Sequence, residues 1–177
     1  MEYTIGDKIV LIGLPGSGKS TLGKQLSLNL HYPFYDLDEL IVDHIGCSIA
    51  QFFNEKDELQ FRILESTMLN KTLLLDGPLV LSTGGGAPCF YDNIELINTY
   101  STSIYIDVPD KVLVKRLMNN AGGERPMFYK LPESAVKNKI LTLKQAREEF
   151  YNQAKIKLSG ADISTELIVS ALGKFKS

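Results

Sequence analysis

The sequence predicts an α/β fold, a three-layer sandwich in which helices cover both faces of a central parallel sheet. Two observations lead to this prediction. Five short apolar runs alternate with segments whose apolar residues repeat at helical spacing, and the first run leads into a glycine-rich turn followed by a helix. Because alternation of this kind is typical of βα units, the strands are expected to be parallel.

The first predicted strand is Lys8–Ile12, a β-branched run that we expect to be buried on both faces at the centre of the sheet. After the turn, Leu22, Leu26 and Leu30 repeat every four residues and predict a helix with one apolar stripe. The other four predicted strands lie at residues 34–35, 79–81, 103–108 and 156–158.

Composition limits the classes of partner. The 177 residues include 44% hydrophobic residues and carry a formal net charge of −2, which predicts one domain spanning residues 1–177. There is no net positive charge to hold nucleic acid or an anionic membrane surface, and no apolar run of about 18 residues to span a bilayer. Residues 1–7 lack the features of a signal peptide. We therefore expect a cytoplasmic monomer without nucleic-acid or membrane partners.

Cysteine and histidine content argues against a disulfide framework or a zinc site. Cys47 and Cys89 are too few for a disulfide scaffold, and we expect both to be reduced and structural. His31 and His44 have no cysteine or second histidine at metal-ligand spacing.

Residues 119–132 do not fit the alternation of strands and helices. The segment has no sustained period and contains two glycines and two prolines. This composition predicts a mobile loop, and loops of this length are often lids over a site. A disordered surface excursion is the alternative.

The first turn contains a phosphate-binding motif. Residues 13–20 match G-x-x-x-x-G-K-[ST] between a predicted strand and a predicted helix. Glycines let successive backbone N–H groups point at phosphate oxygens, and the helix adds its positive N-terminal end. Lys19 can reach the β- and γ-phosphates, and the Ser20 hydroxyl is placed to ligate Mg²⁺. The motif predicts binding of a nucleoside triphosphate with Mg²⁺, and a glycine-rich turn without a ligand is the alternative.

Two absences narrow the class of nucleotide-binding protein. The sequence has no N-K-x-D motif of the kind with which GTPases read the base. Its 177 residues are few for an ATPase that couples hydrolysis to mechanical work. A small-molecule kinase fits best.

Asp36 and Asp38 follow the second predicted strand, so we expect both at the carboxyl edge of the sheet, where ligands bind in open α/β folds. Phosphoryl transfer requires an acceptor hydroxyl in line with the γ-phosphate and a carboxylate that accepts its proton. The pair is therefore a candidate for the acceptor site. Either aspartate could instead cap the helix that includes Leu40 and Ile41.

Further short motifs occur in a fixed order behind the phosphate loop. They are Asp36-Leu37-Asp38, residues 46–53, Phe61-Arg62 with Glu65, residues 82–87, and Arg125-Pro126. Each motif alone is weak, but in this order and approximate spacing they resemble the shikimate kinase family over about residues 8–172.

The resemblance implies a fold and a reaction. The fold would be the P-loop NTPase fold of the nucleoside monophosphate kinase type, with five parallel strands and a mobile lid at about residues 119–132. The reaction would transfer the γ-phosphoryl group of ATP to the 3-hydroxyl of shikimate, a step of chorismate and aromatic amino acid biosynthesis. A substrate-binding region is implied at about residues 38–65.

The resemblance also implies roles for the acceptor site. Arg62 and Arg147 match the arginines that hold the shikimate carboxylate, a task suited to the guanidinium fork. Asp38 matches the carboxylate that binds ring hydroxyls, and it is the candidate proton acceptor. Asp36 matches the residue that supports the Mg²⁺ shell, through water. A salt bridge of Arg62 with Glu58 or Glu65 on a helix surface is the alternative for that arginine.

Backbone and nucleotide contacts complete the implied site. The glycines of the 84–86 triplet would contact substrate, with a tight strand-to-helix turn as the alternative. Arg125 matches a lid arginine that closes over the phosphates and acts with Lys19 in catalysis. Phe53 and Phe61 match apolar residues near the substrate ring, and part of their surface could belong to the core. The implied substrate contacts are Asp38, Arg62, Gly84, Gly85, Gly86 and Arg147, and the implied nucleotide contacts are Gly16, Ser17, Gly18, Lys19, Ser20, Thr21 and Arg125.

The sequence departs from the family pattern in three places. Glu149 stands where the family usually has proline, so Glu148 and Glu149 lie beside Arg147, and we expect both to face solvent. Met127 replaces a common leucine. Residues 162–165, where relatives contact adenine, show no clear matching pattern.

Two other functions stay open on the sequence. One is another P-loop small-molecule kinase, such as a gluconate-type kinase, which the glycine and arginine motifs disfavour. The other is a nucleotide-binding regulatory module without catalysis, against which Lys19, Ser20, Asp38 and Arg125 argue.

Overall fold

The computed structural model describes residues 8–119, 128 and 130–175. Its sheet contains β1 (Lys8–Ile12), β2 (Phe34–Asp36), β3 (Leu79–Ser82), β4 (Thr102–Asp107) and β5 (Ile156–Ser159). The strand order is β2-β3-β1-β4-β5, and every neighbouring pair is parallel. The predicted parallel sheet of five strands is confirmed, and β1 is its centre.

Helices flank the sheet. They are α1 (Lys19–Leu30), α2 (Leu37–Ile45), α3 (Ile49–Glu55), α4 (Glu58–Leu73), α5 (Asn93–Tyr100), α6 (Asp110–Asn119), α7 (Glu133–Tyr151) and α8 (Thr165–Phe175), with a short 3₁₀ helix at Ala87–Cys89. The side chains of Asp36, Ser48 and Asp57 cap the N-termini of α2, α3 and α4. Among the helices of the described ranges, none has the length and apolarity needed to cross a membrane.

Burial follows the predicted periodicity. Residues 9–12 of β1 are all buried, so both faces of this strand are covered, as expected at the centre of the sheet. In α1, Leu26 is buried and Leu22 and Leu30 are half-buried, whereas Leu28, which lies off the four-residue stripe, is exposed. The apolar stripe of α1 therefore faces the core.

The parallel strands bring three loops to one edge of the sheet. The phosphate loop follows β1, Asp36 ends β2, and the glycine triplet follows β3. Because β3 lies between β2 and β1, the triplet emerges between the two aspartates and the phosphate loop.

The predicted lid lies between α6 and α7. Residues 120–127 and 129, with Arg125 among them, lie outside the described residues. Phe128 is buried, and the Lys139 ammonium of α7 lies 5.6 Å from its ring centroid.

Candidate active site

The phosphate loop connects β1 to α1. Gly16 and Gly18 have φ angles of 85° and 92°, a left-handed region that glycine adopts without strain. Gly18 is also the N-cap of α1, so the loop ends where helix N–H groups and the helix dipole favour an anion. Ser17 of the loop is buried, and Thr21 in the first turn of α1 is exposed.

Lys19 lies buried against the loop that precedes it. Its Nζ donates to the carbonyl oxygens of Gly13 at 2.9 Å and Leu14 at 3.0 Å, and lies 3.4 Å from Ser17 Oγ. A positive charge is therefore held against the loop at the place where the motif predicts phosphate oxygens.

Arg116 supports the loop from α6. Its Nη1 donates to the carbonyls of Gly16 and Ser17 at 3.4 and 3.2 Å, and its Nη2 donates to the carbonyl of Ala161 at 3.0 Å. Arg116 thus joins the phosphate loop to the segment before α8. Sequence reasoning missed this residue, because a single arginine on an amphipathic helix carries no motif.

Oxygen atoms from the first turn of α1 and from the ends of β2 and β3 meet next to the phosphate loop. Ser20 Oγ donates to Asp36 Oδ2 at 2.6 Å and lies 3.3 Å from Ser82 Oγ. The other oxygen of Asp36, Oδ1, accepts from the backbone N–H of Asp38 at 3.1 Å. The capping alternative for Asp36 is thus observed together with the contact to Ser20. Hydroxyl and carboxylate oxygens are ligands that Mg²⁺ prefers, so this donor set fits Mg²⁺.

The glycine triplet at 84–86 lies against polar side chains. A β-carbon on the first glycine would lie 2.8 Å from Asp38 Oδ1, and one on the second would lie 3.0 Å from Arg147 Nη1. A β-carbon on the third would lie 2.7 Å from Arg62 Nη1. Glycine is needed here because the side chains approach the backbone so closely. The triplet therefore brings together Asp38, Arg62 and Arg147 from three helices.

The triplet also contacts the phosphate loop. A β-carbon at Gly85 would lie 3.0 Å from Cδ of Pro15. The phosphate loop and the cluster of Asp38, Arg62 and Arg147 are therefore adjacent parts of one site.

Arg62 forms both of the salt bridges that the sequence left open. Its Nε and Nη2 donate to Glu58 Oε1 at 3.3 and 3.1 Å, and its Nη1 donates to Glu65 Oε2 at 2.8 Å. The Glu58 side chain is 66% exposed, but the side chains of Arg62 and Glu65 are only 13% and 2% exposed. The surface salt-bridge description therefore fits Glu58 and does not fit Glu65.

Glu65 is a buried carboxylate at the centre of this cluster. Its Oε1 would lie 3.1 Å from a β-carbon at Gly84, on the same side as Asp38. Burial raises the pKa of Glu65, with a further rise from the Asp38 charge, and Arg62 and Arg147 oppose the shift. From the sequence, Glu65 was expected only as a motif residue and as an alternative surface salt-bridge partner of Arg62, three residues before it on the same helix. Its burial beside Asp38 could not be predicted from that spacing.

The raised pKa of Glu65 predicts a dependence of stability on pH. Because folding raises this pKa above its ordinary value of 4.5, the stabilising effect of protonated Glu65 is complete below that value and is lost as pH rises through the folded pKa. We expect the free energy of unfolding of the wild type, minus that of Glu65→Gln, to fall as pH rises from about 4. Urea unfolding across a pH series measures this difference, and a difference that increases with pH would contradict the prediction.

Helix α7 contributes Arg147 and Tyr151. The Tyr151 hydroxyl donates to the carbonyl of Gly85 at 2.5 Å, and its buried ring packs against Tyr105 with centroids 5.0 Å apart. Burial raises the pKa of Tyr151, so the hydroxyl stays a donor. Arg147 is half-buried, Glu148 is half-buried and Glu149 is exposed.

Aromatic and thiol groups border the arginines. The rings of Phe53 and Phe61 lie 4.9 Å apart; Phe61 is buried in the core, whereas Phe53 is partly exposed. Cys89 and Cys47 are free and half-buried. Burial raises the pKa of the Cys89 thiol to about 11, so it is protonated at neutral pH.

The site has two adjacent parts. One is the loop at residues 13–20, where glycines, Lys19 and a helix N-terminus form an arrangement typical of phosphate binding, and the other presents two guanidinium groups and a carboxylate. This arrangement suits a transfer between a nucleotide and a small anionic acceptor. The fold and this site together define a P-loop small-molecule kinase.

Comparison with known proteins identifies the family within this class. A family model described as shikimate kinase matches residues 15–175. The shikimate kinase of Bacteroides fragilis is 40% identical over 147 residues, which are 83% of this chain and 81% of that protein. The crystal structure of shikimate kinase from Bacteroides thetaiotaomicron has a TM-score of 0.85 at 34% identity and covers 96% of both chains. Shikimate kinase from Acinetobacter baumannii, in complex with shikimate, has a TM-score of 0.83 at 25% identity and covers 97% of this chain and 93% of that chain. The chain belongs to the shikimate kinase family.

Proposed function

We propose that this protein transfers the γ-phosphoryl group of ATP to the 3-hydroxyl of shikimate, giving ADP and shikimate 3-phosphate. The contact between Pro15 and the glycine triplet supports this proposal most directly, because it places the arginine-lined cluster beside the phosphate loop. Membership of the shikimate kinase family supports the choice of substrates.

Arg62 and Arg147 are the proposed receptors for the shikimate carboxylate. Both guanidinium groups lie against the triplet, and a planar fork can donate two parallel N–H bonds to a carboxylate. Glu58 and Glu65 hold Arg62 in place before substrate arrives. The carboxylate then orients the ring so that a hydroxyl faces Asp38.

Asp38 is the proposed proton acceptor. Its Oδ1 lies close to the first glycine of the triplet, and Asp38 itself stands two residues after Asp36, which ends β2. As the acceptor oxygen bonds to the γ-phosphorus, the bond from that phosphorus to the β–γ bridging oxygen breaks and ADP leaves. The hydroxyl proton passes to the Asp38 carboxylate.

Lys19, Ser20 and Asp36 are the proposed groups that neutralise the negative charge of the phosphates, directly or through Mg²⁺. Lys19 would donate to the phosphate oxygens on which charge is spread during transfer. Ser20 and Asp36 would hold Mg²⁺, which supplies charge neutralisation at the β- and γ-phosphates when bound. By resemblance to the family, we propose that Arg125 closes over the phosphates as part of a lid.

Replacing Asp38 with asparagine is expected to lower kcat about a hundredfold, because the amide keeps the shape of the side chain but cannot accept a proton. Steady-state kinetics with ATP and shikimate measure this change. Asp43→Asn, at the other end of α2, is the matched control and should keep wild-type kinetics. Retention of most activity by Asp38→Asn would reduce Asp38 to a substrate ligand.

A coupled assay for ADP release, with and without shikimate, tests the function directly. Turnover that depends on shikimate is the expected result. A folded protein that releases no additional ADP when shikimate is added would contradict the proposal. Gluconate and other polyols as acceptors test the other kinase class. Nucleotide binding without transfer to any acceptor would favour a regulatory module.

We further propose a single-domain monomer that works in the cytoplasm. The continuous core around one sheet supports the single domain. Light scattering during size exclusion measures the mass in solution, and a stable dimer would contradict it.

A further inference from the structure

The guanidinium group of Arg62 lies against two phenylalanine rings. Its central carbon is 4.4 Å from the ring centroid of Phe90 and 5.3 Å from that of Phe61. At these distances a guanidinium cation is attracted to the face of an aromatic ring. Phe61 precedes Arg62 on α4, whereas Phe90 comes from the loop that follows the glycine triplet. Phe90 is therefore a contact that only the tertiary structure creates.

Phe90 stands immediately before a strained turn. Tyr91 and Asp92 have φ angles of 50° and 55°, in the left-handed region. Aspartate tolerates this conformation, but a bulky residue such as tyrosine rarely adopts it. Tyr91 is 50% exposed, so its ring is only partly held by neighbouring residues. The two left-handed residues turn the chain sharply between the 3₁₀ helix and α5, and this turn sets the position of Phe90.

Asn93 holds the turn in place. It is buried, its Nδ2 donates to the carbonyl of Ala87 at 2.8 Å, and its Oδ1 accepts from Ser66 Oγ at 2.7 Å. Its backbone N–H donates to the carbonyl of Phe90 at 3.0 Å. The turn is thus tied both to α4, which carries Arg62, and to the loop after the triplet. Strained backbone persists where surrounding contacts hold it in this way.

We propose that Phe90 is a positioning residue for the substrate carboxylate, which acts by fixing the orientation of the Arg62 guanidinium group. The proposal rests on the proposed function, in which Arg62 binds that carboxylate. Glu58 and Glu65 bond the edges of the guanidinium group, and Glu58 is mostly exposed. The Phe90 ring keeps the guanidinium group of Arg62 against Gly86. Without this ring, the guanidinium group could move with the exposed Glu58 side chain toward solvent. An oriented fork loses less entropy when it binds a carboxylate.

Steady-state kinetics of the full chain with shikimate and with shikimate methyl ester test the proposal. The ester keeps the ring hydroxyls and lacks the carboxylate charge. Phe90→Leu is expected to raise KM for shikimate about three- to tenfold, with kcat and KM for ATP within about twofold of wild type. Its kcat/KM for the ester should not change, so the preference for acid over ester should fall. Phe90→Tyr, which keeps the ring, should restore wild-type values.

Tyr91→Asn is the matched control, because it removes the neighbouring ring and asparagine tolerates a left-handed backbone. It should keep the wild-type KM for shikimate. An equal loss for acid and ester in Phe90→Leu, or an unchanged KM, would overturn the proposal. The acid-to-ester ratio is measured within one variant, so lower stability of Phe90→Leu does not obscure it. A wild-type enzyme that phosphorylates neither compound would instead contradict the proposed function, and this inference with it.

Discussion

Replacing Lys19 with methionine is expected to lower kcat about a thousandfold, with a smaller change in KM for ATP. The reason is that charge on the γ-phosphoryl oxygens spreads during transfer, so the ammonium group stabilises the transition state more than the ground state. The same ammonium group donates to the carbonyls of Gly13 and Leu14, so the variant also removes two hydrogen bonds that hold the conformation of the loop. The coupled ADP-release assay measures kcat and both KM values.

The matched control for Lys19→Met is Lys24→Met on the same helix. The Lys24 side chain is exposed and pairs with Glu39 at 3.3 Å on the surface, so its loss should leave kcat unchanged. Thermal unfolding of both variants shows whether the loop replacement destabilises the fold. Turnover by folded Lys19→Met at the wild-type rate would reject a role for Lys19 in phosphate binding.

Replacing Arg62 with alanine is expected to cost about 3 to 5 kcal/mol in kcat/KM for shikimate, because a buried substrate carboxylate would lose its charged partner. Most of the loss should appear in KM if Arg62 binds substrate and transition state equally well. The variant also leaves Glu65 buried without its 2.8 Å salt bridge, so a lower unfolding temperature is expected.

Two variants separate substrate binding by Arg62 from its structural role. Arg62→Lys keeps the charge but loses the planar fork, so an intermediate rise in KM for shikimate is expected. Glu58→Gln removes only the exposed salt bridge, and its KM should stay within about threefold of wild type. A loss below about tenfold in Arg62→Ala would favour the salt-bridge role alone.

Local sequence was sufficient to predict the strands and the phosphate loop. All five predicted strands lie within two residues of the observed ones, because short apolar runs that alternate with segments of helical period favour the strands of a parallel sheet. The phosphate loop was equally predictable, since its consensus pattern lies entirely within residues 13–20. Roles for Arg62 and Arg147 came only from the resemblance to a family, because an arginine on a helix has no local signature.

Several contacts of the site depend on residues far apart in the chain. Arg116 reaches the phosphate loop across about a hundred residues, and Phe90 reaches Arg62 from the loop after β3. Capping and metal-ligand roles for Asp36 also could not be separated in sequence, and in the structure its two oxygens serve both α2 and Ser20. Such contacts depend on how helices pack on the sheet, which local patterns do not encode.

The sequence by itself determined an α/β fold, a phosphate-binding motif at residues 13–20, and membership of a kinase family. These properties follow from periodicity and from motifs that act over a few residues. Only the tertiary structure decided that Glu65 is buried between Arg62 and Asp38, and that the triplet contacts Pro15. The physical reason is that parallel strands in the order β2-β3-β1 bring loops from distant parts of the chain to one edge, where glycine lets them touch.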